Sequence, residues 1–173
     1  PHGGLTFFVV ESETPGFRVG KNLKKMGWWA SDTAELFFDD CRIPVENRLG
    51  EDGSGFVGAM VNFANERLVI SANCVAVAQL AFDAAVDHAK HRKAFGRQVS
   101  KFQVNRHKLA EMSTRLFATR SLVSTVASRH ARGLDVMVDA AMAKNNAVAM
   151  CDFVTDAAVQ LHGGMGYMRE SIV

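Results

Sequence analysis

Arg92-Lys93-Ala94-Phe95-Gly96-Arg97-Gln98-Val99-Ser100-Lys101-Phe102-Gln103 is the stretch on which the reading of the fold turns. Cations followed by a glycine are ordinary chemistry at the C-terminal end of a helix. The spacing therefore predicts a helix that stops near Arg92 and a second that starts soon afterwards. Working outward, no proline occurs from Ser54 onward, and three long helices are expected over approximately 55–92, 99–131 and 135–162. In the second, Leu109, Met112, Leu116, Val123 and Val126 recur at a 3–4 spacing, with Thr119 in the one polar slot. In the third, Ala140, Ala143, Ala147, Met150, Val154, Ala157 and Leu161 do the same. Such stripes bury one face of a helix, and the alanines permit close approach. Gly133 separates these two helices and Gly163-Gly164 ends the third. Long helices joined by short links point to an antiparallel bundle.

Before Gly50 the pattern changes. Leu5–Val10 and Leu36–Phe38 are short strand-like runs, broken by Thr14-Pro15-Gly16, Gly20, Gly27 and the Arg42-Ile43-Pro44 exit. The expected fold class is α+β, with a partial antiparallel β domain followed by an incomplete four-helix bundle. The boundaries expected are 1–52 for the C-terminal part of the β domain and 53–173 for the truncated helical domain. Glu51-Asp52-Gly53-Ser54-Gly55 reads as a linker whose Ser54 caps the first helix. Pro1 stands directly before a strand-like run, and Val173 follows what looks like the start of a new helix. Both ends thus read as cut.

Composition narrows the function. The formal charge of +2 and the interleaving of basic with acidic residues give no ground for a nucleic-acid partner. The longest near-apolar run, Leu68–Phe82, is broken by Ser71, Asn73 and Gln79 and falls short of the roughly 20 residues of a membrane span, so none is expected. Cys41, Cys74 and Cys151 lie far apart without metal-ligand spacing, as in a reduced, intracellular protein. His88, His91, His107, His130 and His162 form no metal motif either.

Three places can carry chemistry. On the first helix Phe56, Met60, Phe63, Arg67, Ile70, Cys74, Val77 and Ala81 form a stripe, and Arg67 sits where an apolar residue is expected, beside Glu66. A carboxylate at the edge of a buried stripe is desolvated, which suits a general base. Alternatively Glu66 faces water and Arg67 pairs with an acidic residue elsewhere. Arg92 is either part of a helix stop or the holder of an anionic group such as a pyrophosphate. Gln160-Leu161-His162-Gly163-Gly164-Met165-Gly166-Tyr167 is either a glycine-rich break or a place where backbone approaches a cofactor closely.

Together these pieces resemble the acyl-CoA dehydrogenase family along nearly the whole chain. Gly27-Trp28-Trp29-Ala30-Ser31-Asp32-Thr33-Ala34-Glu35-Leu36-Phe37-Phe38 to Pro44, then Asn47-Arg48-Leu49-Gly50, is similar to the family's middle β domain. Arg92-x-x-Phe95-Gly96 with Gln103 resembles its flavin-contacting turn, and Gln160-x-x-Gly163-Gly164-x-Gly166-Tyr167 its second flavin motif. The resemblance implies an FAD enzyme that desaturates an acyl-CoA thioester and passes electrons to an electron-transfer flavoprotein. It also implies a homo-oligomer (dimer or tetramer) in the bacterial cytoplasm or mitochondrial matrix. Arg92, Phe95, Gln103, Gln160, Gly163 and Gly164 would reach a neighbouring subunit's FAD. Asn65-Glu66-Arg67 matches the isovaleryl and long-chain branch, which implies Glu66 as the α-proton base and Arg67 at the thioester or CoA end. The alternatives are an acyl-CoA oxidase or nitroalkane-oxidase-like relative, and a helical assembly module without catalysis.

Overall fold

A computed structural model of the chain describes residues 3–173, and it divides into two units, Pro1–Met60 and Val61–Val173. In the first unit, β1 (Phe7–Phe8), β2 (Phe17–Asn22), β3 (Ala34–Phe38) and β4 (Arg48–Leu49) make two antiparallel pairs, β1 with β4 and β2 with β3. Phe17 stands opposite Phe38 and Arg18 opposite Phe37, with an irregularity between Val19 and Asn22. The Phe17 and Phe38 rings lie 5.2 Å apart, and the Arg18 guanidinium sits 3.9 Å from the centre of the Phe37 ring. Cross-strand pairs of this kind hold a two-stranded ribbon together.

Two details differ from the sequence reading. Gly20 is no break: it lies inside β2, where an added Cβ would come within 2.5 Å of the Phe37 ring. Glycine is used there for close approach of a side chain to backbone. Ser54 donates its hydroxyl to the Glu51 carbonyl at 2.6 Å instead of capping a helical N–H, while its own carbonyl accepts the Gly58 N–H at 3.0 Å.

The second unit is built on α1 (Gly55–His91), α2 (Gln103–Ala131) and α3 (Met137–His162), with the hairpin β5 (Lys93–Ala94) and β6 (Arg97–Gln98) between α1 and α2. Ala78, Ala81 and Ala85 of α1 pack with Met112 and Leu116 of α2 and with Met150, Val154, Ala157, Ala158 and Leu161 of α3. At the other end Leu68 of α1 meets Val123 and Val126 of α2, and Ala140, Ala143 and Ala147 of α3. These two clusters fix an up-down-up order in which α2 runs against both neighbours. The stripes expected for α2 and α3 are the buried ones. Leu109 is half-buried against the core, and Thr119 satisfies its buried hydroxyl by donating to Asn146 Oδ1 at 2.7 Å.

The stripe expected for α1 is displaced. Its buried residues are Ala64, Leu68, Ser71, Ala78, Ala81, Ala85 and Ala89, whereas Phe63, Ile70 and Val77 are exposed. Between Phe63 and Ala78 the buried face is rotated by one position, about 100° around the helix, while Ala81 of the expected stripe is buried as read. Large apolar side chains dominated the periodicity, but the face that packs against α2 and α3 is made mainly of small ones. Ser71 keeps its place on that face by donating to the Arg67 carbonyl at 2.6 Å.

By length and composition alone α1 is apolar enough to cross a membrane, a property it shares with core helices; here its alanine face packs on α2 and α3. One further expectation needs correction. After Tyr167 no new helix begins among the described residues; the chain makes a turn in which the Ser171 N–H donates to the Met168 carbonyl at 3.0 Å. Cys41, Cys74 and Cys151 are free thiols, each half-buried.

Candidate functional site

The quoted stretch is more than a helix stop. α1 ends at His91, and β5 and β6 pair Lys93 with Gln98 and Ala94 with Arg97. The two turn residues, Phe95 (φ 50°) and Gly96 (φ 79°), are both left-handed, the geometry of the tightest hairpin turn. Asparagine or glycine is the usual occupant of the first turn position, and a phenylalanine there costs about 1–3 kcal/mol. Gly96 is thus a hairpin residue and not a helix cap. The turn holds the Phe95 ring outward, 96% exposed. Phe102 meets it edge-on at 6.3 Å, and the Arg97 guanidinium covers Phe102 at 4.1 Å. Gln103, exposed, is the first residue of α2 directly after Phe102.

Arg92 projects from the end of α1 into a surface cavity of about 520 Å³ that also takes in Asp87, His88, His91 and His162. His162 is the last residue of α3. It is followed by Gly163 at φ 61° and ψ −138°, a conformation that residues with a Cβ resist. Open space surrounds the Cα of Gly163 and of Gly164, whereas a Cβ on Gly166 would come within 2.5 Å of the Val159 carbonyl. The third glycine of the motif therefore packs the loop onto α3, and the first two leave backbone free to be approached. Gln160 is exposed on the last turn of α3.

The six expected cofactor residues thus gather at one pole of the helical unit. Arg92 and His162 share a cavity, with Gly163, Gly164 and Gln160 adjoining in the chain. Phe95 and Gln103 are joined through Phe102. Sequence reasoning missed the ring stack of His88 on His162, with centroids 4.4 Å apart. The available signal was that His88 lies one helical turn before Arg92.

Glu66 and Arg67 lie elsewhere. Twenty-six residues of continuous helix separate Glu66 from Arg92, about 39 Å at 1.5 Å per residue. Glu66 is exposed, and its Oε1 accepts from Asn62 Nδ2 at 2.6 Å. The desolvation expected from the stripe argument is therefore not supplied by this chain. Asn65 Oδ1 is 2.6 Å from His130 Nε2 on α2, which ties this stretch of α1 to its neighbour. Arg67 is half-buried, its guanidinium 5.6 Å from the Phe63 ring centre. It makes no ion pair among the described residues, so the pairing with an acidic residue is not seen. The described residues also contain no cluster of metal-ligating side chains.

Residues 53–173 match the family described as acyl-CoA dehydrogenase, C-terminal domain. An acyl-CoA dehydrogenase of Bacillus subtilis is 43% identical over 96% of this chain and 44% of its own length. The rat mitochondrial long-chain specific acyl-CoA dehydrogenase (Rattus norvegicus) is 40% identical over 98% of this chain and 40% of its own. Among solved structures, butyryl-CoA dehydrogenase from Megasphaera elsdenii superimposes with a TM-score of 0.92 at 42% identity, covering 98% of this chain and 44% of that one. The FAD complex of PigA aligns at 26% identity with a TM-score of 0.89, over 95% and 43%. The chain spans less than half the length of each.

Proposed function

Because the chain belongs to the acyl-CoA dehydrogenase family, we propose that the whole protein is an FAD-dependent dehydrogenase that desaturates acyl-CoA thioesters between Cα and Cβ. The observation that carries this reading is the pole formed by Arg92, Phe95, Gln103 and the Gly163–Gly164 turn. Its features suit a bound dinucleotide: an exposed guanidinium for phosphate, a ring held outward at a conformational cost, two exposed amides, and backbone without side chains in the way. Bound FAD supplies the two-electron oxidising power, accepting the β-hydrogen as hydride.

Glu66 is the base. Its carboxylate removes the α-proton, made acidic by the thioester carbonyl, and the hydrogen bond from Asn62 holds one oxygen so that the other is free to act. Arg67, adjacent, lies toward the thioester or CoA end. Arg92 and Gln160 hold the phosphate and adenine end of the cofactor without taking part in the bond changes. Since about 39 Å of helix separates Arg92 from Glu66, the two ends of one chain serve different active sites. That is the expectation for FAD shared across an interface between identical subunits. An electron-transfer flavoprotein is the acceptor this family membership implies, and a bacterial cytoplasm or mitochondrial matrix the compartment. Relatives named for butyryl-CoA and for long chains match about equally well, so they do not select an acyl length.

The test uses the full-length protein, reduced anaerobically by an acyl-CoA while flavin absorbance is followed. Wild type is expected to bleach; Glu66→Gln is expected to retain FAD but bleach at least a thousandfold more slowly, the order lost with a positioned base. Normal bleaching by Glu66→Gln removes the base assignment. Release of hydrogen peroxide in place of reduction of an electron-transfer flavoprotein would favour the oxidase reading. A colourless full-length protein would favour the assembly module.

A further inference from the structure

His88 and His162 stack across the ends of α1 and α3 with their planes 32° apart, and both face the cavity that holds Arg92. Hydrogen bonds fix which ring atoms are in use. His162 Nδ1 lies 2.8 Å from the Ala158 carbonyl, which can only accept, so Nδ1 carries a proton and Nε2 is the position left free. His91 is engaged with Asp87, 3.0 Å from its carbonyl and 3.2 Å from its carboxylate. The His88 side chain makes no hydrogen bond among the described residues, while its carbonyl accepts the Arg92 N–H at 2.8 Å. Burial, then the positive charge of His162 and of Arg92, push His88 below the ordinary histidine value of 6.5, while Asp87 pulls weakly the other way. The His88 imidazole, disfavoured as a cation, thus stands one turn from a permanent guanidinium.

We propose that His88 and His162 complete, with Arg92, a subsite for a pyrophosphate ester that takes up a proton when its ligand seats. The inference rests on the reading of Arg92 as a phosphate-holding residue. A pyrophosphate diester brings two negative charges to a place where the Arg92 guanidinium disfavours a further cation. Those charges reverse the local balance, so His88 becomes protonated and donates to phosphate oxygen alongside Arg92. His162, stacked on His88, borders the same cavity. Asp87, held by His91, is the one acidic group at the cavity, and it favours the same protonation.

The sign follows from linkage. A site whose protonation is favoured by the ligand binds that ligand more tightly as pH falls through the histidine range, by up to about tenfold per pH unit for each proton taken up. The empty protein behaves oppositely. A histidine held below 6.5 in the fold contributes stability that is present above that value and is lost as pH falls below it. Ligand binding should therefore offset an acid destabilisation that begins near the same pH.

Two molecules could supply the pyrophosphate, FAD and the coenzyme A portion of the substrate. Calorimetric titration of the full-length apoprotein with FAD near pH 6.5, in two buffers of different ionisation enthalpy, counts the protons exchanged. Net uptake that is lost in His88→Gln and reduced in His162→Gln is the expected result. Proton release, or uptake undiminished in both variants, overturns the proposal. The same titration with 3′-dephospho-coenzyme A, which keeps the pyrophosphate but has no monoester titrating in this range, identifies the source. Uptake with FAD alone supports the flavin as occupant, and uptake with dephospho-coenzyme A alone supports the same subsite with the substrate as occupant. Absence of uptake with either ligand overturns it. If FAD affinity is unchanged in Arg92→Ala, the underlying cofactor reading fails. If affinity depends on Arg92 but no proton is exchanged, only the present inference fails.

Discussion

Phe95 shows how a single residue can be tuned against its own backbone. Its left-handed conformation next to Gly96 closes the hairpin, and a glycine in its place would adopt that geometry without the steric cost. The strain has a visible return only in where the ring points, outward beside Phe102 and Arg97. Phe95→Gly is thus expected to change two measurements in opposite senses. Thermal unfolding of the apoprotein should rise or stay level, since relief of about 1–3 kcal/mol of strain offsets the greater chain entropy of glycine. FAD retention through gel filtration should fall. Unchanged retention would leave the outward ring without a role. Glu66 teaches the converse lesson at the same scale, because the proposal that it is the base rests on its neighbours in sequence and its bond from Asn62, and not on any burial this chain provides.

At the scale of the element, α2 and α3 were legible because their sustained 3–4 stripes are the buried ones, with Phe117, Val138 and Met142 standing exposed off those faces. Met112, Leu116, Val123 and Val126, and the alanine series from Ala140 to Leu161, could be read directly as core. α1 was misread because two apolar stripes run side by side. The bulky one, with Phe63, Ile70 and Val77, looks like core to any periodicity argument, yet the alanine stripe is buried. The two stripes are distinguished by side-chain volume at the helix contact, which sequence spacing does not report. The hairpin 93–98 was hidden for a different reason: its strands are two residues each and its turn has phenylalanine where asparagine is customary. Of the candidate site, the residue identities at the pole were readable, but the His88–His162 stack required knowing that the ends of α1 and α3 meet. Met112 joins all three helices and is fully buried. Met112→Ala is expected to lower unfolding free energy by about 2–5 kcal/mol, measured by urea denaturation of the full-length protein. A loss below 1 kcal/mol would mean that the cluster around it repacks freely.

The whole molecule poses a problem of distance. Glu66 and the phosphate-binding pole sit about 39 Å apart along one continuous helix, too far for a proton-abstracting carboxylate and a phosphate clamp to work on the same site through one chain. Under the proposed function a two-fold assembly would resolve it, because a symmetric pairing would let the pole of each subunit complete the site that holds the other's proposed base. This arrangement makes a prediction that no single-subunit site can share. Co-expressed full-length subunits, one carrying Glu66→Gln and the other Arg92→Ala, would be purified by different affinity tags so that only mixed oligomers are assayed. In a mixed pair, one site combines an intact Glu66 with the partner's intact Arg92, and the other site has lost both. Each variant alone should bleach poorly with acyl-CoA, while the mixed oligomer should recover roughly half of the wild-type active sites, as the pairing of two unlike subunits requires. If Glu66 and Arg92 served one site within one chain, every site in the mixed oligomer would carry a defect and no activity would return. Activity restored on mixing would therefore establish that the helix carries its two functions to opposite sites, and failure to restore it would place both in the same one.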